Sequence, residues 1–259
     1  MLLRQEMNKS LYTGLGASHF ALLFALWALL AYGHLVPASL LPAPDQVFHT
    51  AREMAGDGSL LKHALVSTFR VGAGFIISSV LAVPLGILMG TWKWAVAFFE
   101  PMFGFIRYMP ASAFIPLFIL WLGLGEPEKI MVIFWGTFFQ QVLMVMDVTK
   151  NVPHDLIEVS YTLGAKGYSV FRRVIIPASL PGIVDTLRIT FGWAWTYLVV
   201  AEIVGASSGL GYAIMHAARF GQTGRIFVCI ATIGLLGMLT DFLFKFIYHV
   251  SFSYLRRGK

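Results

Sequence analysis

Residues 65–90 read LVSTFRVGAGFIISSVLAVPLGILMG, an apolar run broken by one charge, Arg70. About 20 such residues suffice to cross a bilayer core roughly 30 Å thick. A chain with one window of this kind has few folds open to it. In hydrocarbon every backbone N–H and C=O must be satisfied internally, which leaves helices or closed barrels. Further apolar windows recur along the whole length, and we expect six spans at roughly 17–36, 65–90, 108–124, 129–148, 182–204 and 225–250. Only 12% of the 259 residues are charged, about half the share usual in soluble domains. The expected class is all-α and polytopic, with about six transmembrane helices.

The first window lies behind a short segment bearing Arg4, Glu6 and Lys9 and ends in AYGHLVPASLLPAP. It lacks a small-x-small cleavage pattern, so a retained span is expected rather than a removed signal. Residues 1–63 then form an N-terminal unit comprising that span and an outer loop. Within the loop Asp45 is placed to cap a surface helix ending near Gly56. Residues 64–250 form the core, with a polar island at about 150–181, and residues 251–259 form a basic tail.

The net charge of +6 does not point to nucleic acid, because the basic residues flank spans rather than forming a stripe with interleaved aromatics. Lysine and arginine concentrate on the cytoplasmic side of membrane proteins. With both termini inside, that side receives Arg4, Lys9, Lys93, Lys150, Lys166, Arg172, Arg173, Arg188, Lys245, Arg256, Arg257 and Lys259, which is 12 of 19. Arg52, Lys62, Lys129, Arg219 and Arg225 fall outside; Arg70 and Arg107 are left unassigned.

The stretch from Trp92 to Gly125 is too long for one perpendicular span and carries Pro101, Pro110 and Pro116. We expect an interfacial helix to about Phe105, a break at Arg107–Pro110 and a short kinked span. Irregular backbone at membrane depth is tolerated where protein or a water-filled cavity covers it. The break therefore yields path candidates Arg107, Tyr108, Met109 and Pro110, with a packing kink as the alternative. Arg107 offers a positive field to an anion or, equally, a headgroup anchor. Glu202 is either a gate contact or a solvated helix end, whereas Trp193, Trp195 and Tyr197 read as packing. Asp241 and Lys245 are spaced to pair on one helix face, and Asp185 with Arg188 would brace the island. Gly86 and Gly90 suit close helix packing.

Gly205-Ala-Ser207-Ser-Gly209 matches the nucleophile-elbow pattern, and Asp241 and His249 follow in order. That motif requires strand, turn and helix, and Asp241 would lie about 24 Å across the membrane. A hydrolase is therefore rejected in favour of a glycine-rich outer loop. Scattered histidines and a single cysteine, Cys229, give no basis for a zinc site.

The island opens with Pro153, Asp155 and Glu158, a proline and carboxylates suited to a helix start. Gly164 and Gly167 would end this short helix, and a second, Tyr168 to Ile176, would stop at Pro177. An exposed amphipathic helix docks into a partner's groove or rests on headgroups. Glu158-Val159-Ser160, three residues, Gly164, nine residues and Val174-Ile-Ile-Pro177 resemble the EAA loop of ABC importer permeases. Val159 and Ser160 stand where that pattern has alanines. IRYMPASAFIPLFILWLGLGE, LLPAPDQVF and the segment from Ile175 to Tyr212 are similar to the nitrate, sulfonate, taurine and bicarbonate importer group, so the resemblance covers about residues 20–250.

The resemblance implies a MetI-like permease bundle working as a homodimer in the bacterial inner membrane, with two cytoplasmic ATPase subunits and an external solute-binding protein. It implies that Glu158, Ser160, Leu163, Gly164, Ala165, Arg172 and Pro177 serve ATPase coupling. ATP and Mg would belong to the partner, since this chain contains no G-x-x-x-x-G-K-[ST] loop. A small anionic solute is expected, with thiamine-precursor pyrimidines or aromatic acids as alternatives. The rival classes are a passive channel or secondary transporter and a membrane-embedded enzyme.

Overall fold

The computed structural model describes residues 8–253, which contain helices and no strand. Arg4, Glu6 and the tail residues Arg256, Arg257 and Lys259 lie outside the described residues. Helix α1 (Lys9–Tyr32) is apolar on all sides and almost wholly exposed. It is tied to the segment just before α2 (Pro44–Gly56), where Trp27 Nε1 donates to Pro42 O at 3.0 Å. Asp45 lies in the first turn of α2, whose cap position is Ala43. Its carboxylate instead accepts from Tyr32 Oη at 2.7 Å, and that bond holds the Asp45 carboxyl below its ordinary range.

Helix α3 (Ser59–Thr91) packs along α6 (Glu126–Lys150). Glycine makes this contact possible. A Cβ added at Gly86 would lie 2.6 Å from Val145 Cβ, and one at Gly90 would lie 2.5 Å from Thr149 Cβ. Without interhelical hydrophobic drive in lipid, such close approach is what dispersion requires. Farther along, Ser78 Oγ donates to Gln141 Oε1 at 2.7 Å, and Gln141 Nε2 donates to Thr190 Oγ1 at 3.2 Å. Thr190 belongs to α9 (Ile176–Ile203), so this buried relay joins three helices.

Between α3 and α6 lie α4 (Lys93–Ile106), a 3₁₀ turn (Ala111–Phe114) and α5 (Ile115–Leu122). The expected span at 108–124 is corrected here: the eight residues of α5 rise only about 12 Å. The two pieces together are long and apolar enough, with an 84° bend between them. They must cross as a unit. Gly90 approaches the Thr149 end of α6 whereas Arg70 pairs with Glu126 at the other end, so the chain changes sides between Thr91 and Glu126. Five long helices and this broken pair make up to six passes.

The island contains α7 (His154–Thr162), then α8 (Gly167–Val170) and a π turn (Phe171–Ile175) leading into α9. The expected stop at Pro177 does not occur, because Gly167–Ile203 is one helical run. A proline lacks the N–H that an α-turn needs, and the wider π spacing just before it shifts the hydrogen-bond register. At the opposite end of the bundle lie α10 (Leu210–Arg219) and the start of α11 (Thr223–Ser251). Asp241 pairs with Lys245 at 2.6 Å within α11. Arg188 reaches Asp185 and Asp241 at 3.4 Å each, linking α9 to α11 rather than bracing the island.

Candidate functional site

Helix α7 stands out because none of its residues is buried. Leu156, Val159 and Tyr161 are exposed, and the adjoining Leu163 is 82% exposed. Its polar groups are spent locally. His154 Nε2 lies 3.2 Å from Glu158, and Ser160 Oγ donates to Leu156 O at 2.6 Å. The helix ends in a Schellman arrangement: Gly164 N–H donates to Tyr161 O at 2.9 Å and Ala165 N–H to Ser160 O at 3.0 Å. That geometry needs a left-handed residue after the cap, and Gly164 has φ +83°. Arg172 and Pro177 are exposed on the turn and helix that follow. The coupling candidates thus occupy one protruding end of the bundle.

A recess with polar groups in its lining lies behind the break between α4 and α5. It has a volume of about 440 Å³, within the range of small-molecule sites, and is walled by Arg107, Met109, Trp135, Phe139, Gln140, Trp193, Thr196 and Tyr197. Trp135 is nine residues into α6, about 14 Å from its start, which places the recess near mid-depth. Arg107 Nη2 donates to Tyr108 Oη at 3.0 Å while the guanidinium lies 4.9 Å from the centre of that ring. Of the path candidates, Arg107 and Met109 line the recess; Tyr108, 77% exposed, and Pro110 do not. Trp195 packs in the core as expected, whereas Trp193 and Tyr197 are walls of the recess.

Glu202 is corrected more sharply. It is 1% exposed and so is no solvated helix end, and it lies away from the recess. Arg70 Nη1 donates to Glu202 Oε1 and to Ser208 O, both at 2.7 Å, while Arg70 Nε donates to Glu126 Oε2 at 2.6 Å. Gly211 N–H donates to Glu202 Oε2 at 2.7 Å, and Leu210 N–H donates to Ser67 Oγ at 2.8 Å. The glycine-rich loop 204–209 is thereby fastened to α3, α6 and α9. Sequence reasoning left Arg70 unassigned; a lone arginine well inside an apolar window was the available signal.

These features define a membrane-embedded transport bundle with a mid-depth recess and a protruding, wholly unburied helix. The chain belongs to the family described as binding-protein-dependent transport system inner membrane component, whose pattern matches residues 82–250. It is a multi-pass permease subunit of an ABC transporter. A Methanocaldococcus jannaschii protein named as an ABC transporter permease is 38% identical, over 85% of this chain and 84% of that one. A Bacillus subtilis protein named as an aliphatic sulfonates transport permease is 37% identical, over 85% and 80%. The fold matches the inward-facing MetNI methionine ABC transporter with a TM-score of 0.68, covering 76% of this chain and 97% of that one at 21% identity.

Proposed function

We propose that two copies of this chain enclose the pathway of an importer for a small organic anion, driven by separate ATPase subunits that seat on α7. The observation that carries the reading is α7 itself. An amphipathic helix with no buried residue, held between two long membrane helices, has its apolar face available for a groove on a partner. ATP and Mg act on that partner, and a solute-binding protein delivers cargo at the α10 end. Lys150, Lys166, Arg172 and Arg173, which flank α7, support a cytoplasmic position for it.

The mechanism is alternating access. Closure of the ATPase pair moves α7, and the unbroken run from Gly167 through the π turn to Ile203 carries that motion to Trp193 and Tyr197 at the recess. The recess suits an anion with an apolar body. Arg107 supplies charge, Gln140 and Thr196 supply hydrogen bonds, and the aromatic walls cover the remainder. A relative named for aliphatic sulfonates supports that class.

The test is ATP hydrolysis by the chain reconstituted with its co-purifying ATPase and binding protein. The panel comprises alkanesulfonates, taurine, nitrate, bicarbonate, aromatic acids and pyrimidines. Stimulation by an organic sulfonate is expected. Flux without any ATPase partner would overturn the reading in favour of a channel or secondary transporter.

A further inference from the structure

A second recess, about 310 Å³, lies at the α10 end between α2, α3, loop 204–209, α10 and α11. It shares no lining residue with the mid-depth one. Its polar lining is Ser59, His63, Ser207, Tyr212, His216 and Arg225, without a carboxylate. Tyr212 lies between the two imidazoles, its ring centre 6.0 Å from His63 and 5.7 Å from His216. His63 Nδ1 accepts the Gly209 N–H at 3.1 Å. A neutral imidazole that accepts at Nδ1 carries its proton on Nε2, so the nitrogen left to the recess is a donor.

Among the described residues no carboxylate is salt-bridged to Arg225. The nearby acid is Asp57, whose carboxylate accepts the Ser59 N–H at 2.8 Å and feels the charge of Arg225. We propose that this recess is a binding site for a small oxoanion, sulfate or an organic sulfonate, held by Arg225, His63 Nε2, His216 and the Tyr212 hydroxyl.

The lining offers donors from four residues on three helices, one of them a guanidinium fork, which matches a multi-oxygen anion. The site is also connected. The imidazole facing it holds Gly209 with its other nitrogen, at the head of α10, in the loop whose Ser208 carbonyl Arg70 grips. An anion there ties α11 to α3 and secures that loop, so its effect is registered at the outer face independently of cargo in the mid-depth recess.

The test uses the full chain in nanodiscs at low ionic strength, titrated with sodium sulfate and sodium methanesulfonate against chloride, with binding read by calorimetry and thermal shift. Arg107→Ala removes the charge of the mid-depth recess, and saturable binding is expected to persist in it. Adding Arg225→Gln and His216→Ala should weaken that binding roughly tenfold or more, as the loss of charge-assisted hydrogen bonds predicts, and Arg225→Lys should restore part of it. Both side chains are exposed, so the unliganded melting temperature should not move. If it does, His216→Ala alone carries the comparison. Binding that disappears with Arg107→Ala and ignores Arg225 and His216 would overturn the outer site while leaving the transport reading intact. Absence of any saturable sulfate or methanesulfonate binding in the Arg107→Ala chain would overturn it equally.

Discussion

Arg70 and Glu202, each 1% exposed, are held by one another more than by any neighbour in sequence. The energetics of such a pair are asymmetric. Deleting one partner strands a buried charge at a cost of about 3–5 kcal/mol, whereas replacing both with apolar groups can be nearly neutral. Arg70→Met should therefore destabilise the detergent-solubilised chain by about 3 kcal/mol or more. Arg70→Met combined with Glu202→Leu should recover part of that loss, since Glu126 is half-exposed and can be solvated. Equal unfolding midpoints for the single and double variants would refute the pairing. The charge of Arg70 inside its apolar window was legible in the sequence, but its partners were not. Glu126 and Glu202 lie 56 and 132 positions away, and nothing local in the sequence brings them together.

Helix contacts are decided by small residues and by chain reversals, and here the sequence was more informative. The Gly86 and Gly90 spacing announced close packing, and the α3–α6 contact uses both. Gly90→Val should push α3 from α6 and cost about 1–3 kcal/mol through overpacking. Gly72→Val, with nothing within 4 Å of its added Cβ, should leave the melting temperature nearly unchanged. If both variants melt alike, the packing argument fails. The spacing from Glu158 through Gly164 to Pro177 likewise announced a short helix and a glycine elbow. It did not reveal the π turn, because a proline in a sequence reads as a stop and only the preceding register tells otherwise. Gly164→Asp forces a side chain into the left-handed region, worth about 1–2 kcal/mol, in open space at the end of α7. Membrane insertion should survive while ATPase co-purification is lost. Leu163→Asp, which keeps the glycine and charges the exposed apolar tip, should give the same loss, and normal co-purification in both would remove α7 from the coupling role.

For the molecule as a whole, the all-helical class and the near-complete set of passes followed from apolar windows alone, because the bilayer leaves little else possible. In the third window the break expected at Arg107–Pro110 is where the chain bends, but the helix before it, expected to lie at the interface, shares one crossing with α5 across an 84° bend, and hydropathy has no term for a bend. That bend places Tyr108 on the exposed rim of the mid-depth recess, beside Arg107. If the recess opens alternately to the two sides, the rim must change its access to water during the ATP cycle. The chain suits a direct measurement, since its one cysteine, Cys229, is buried within the packed α2–α10–α11 cluster and should be silent to polar maleimides. Tyr108→Cys, assembled with the ATPase, then reports from one position. Its labelling rate by a membrane-impermeant maleimide should differ several-fold between nucleotide-free and ATP-trapped complexes, and the difference should vanish when Gly164→Asp is added. A rate insensitive to nucleotide in an assembly that hydrolyses ATP would mean that the break between α4 and α5 is a packing kink, leaving the pathway to be sought along another face of the bundle.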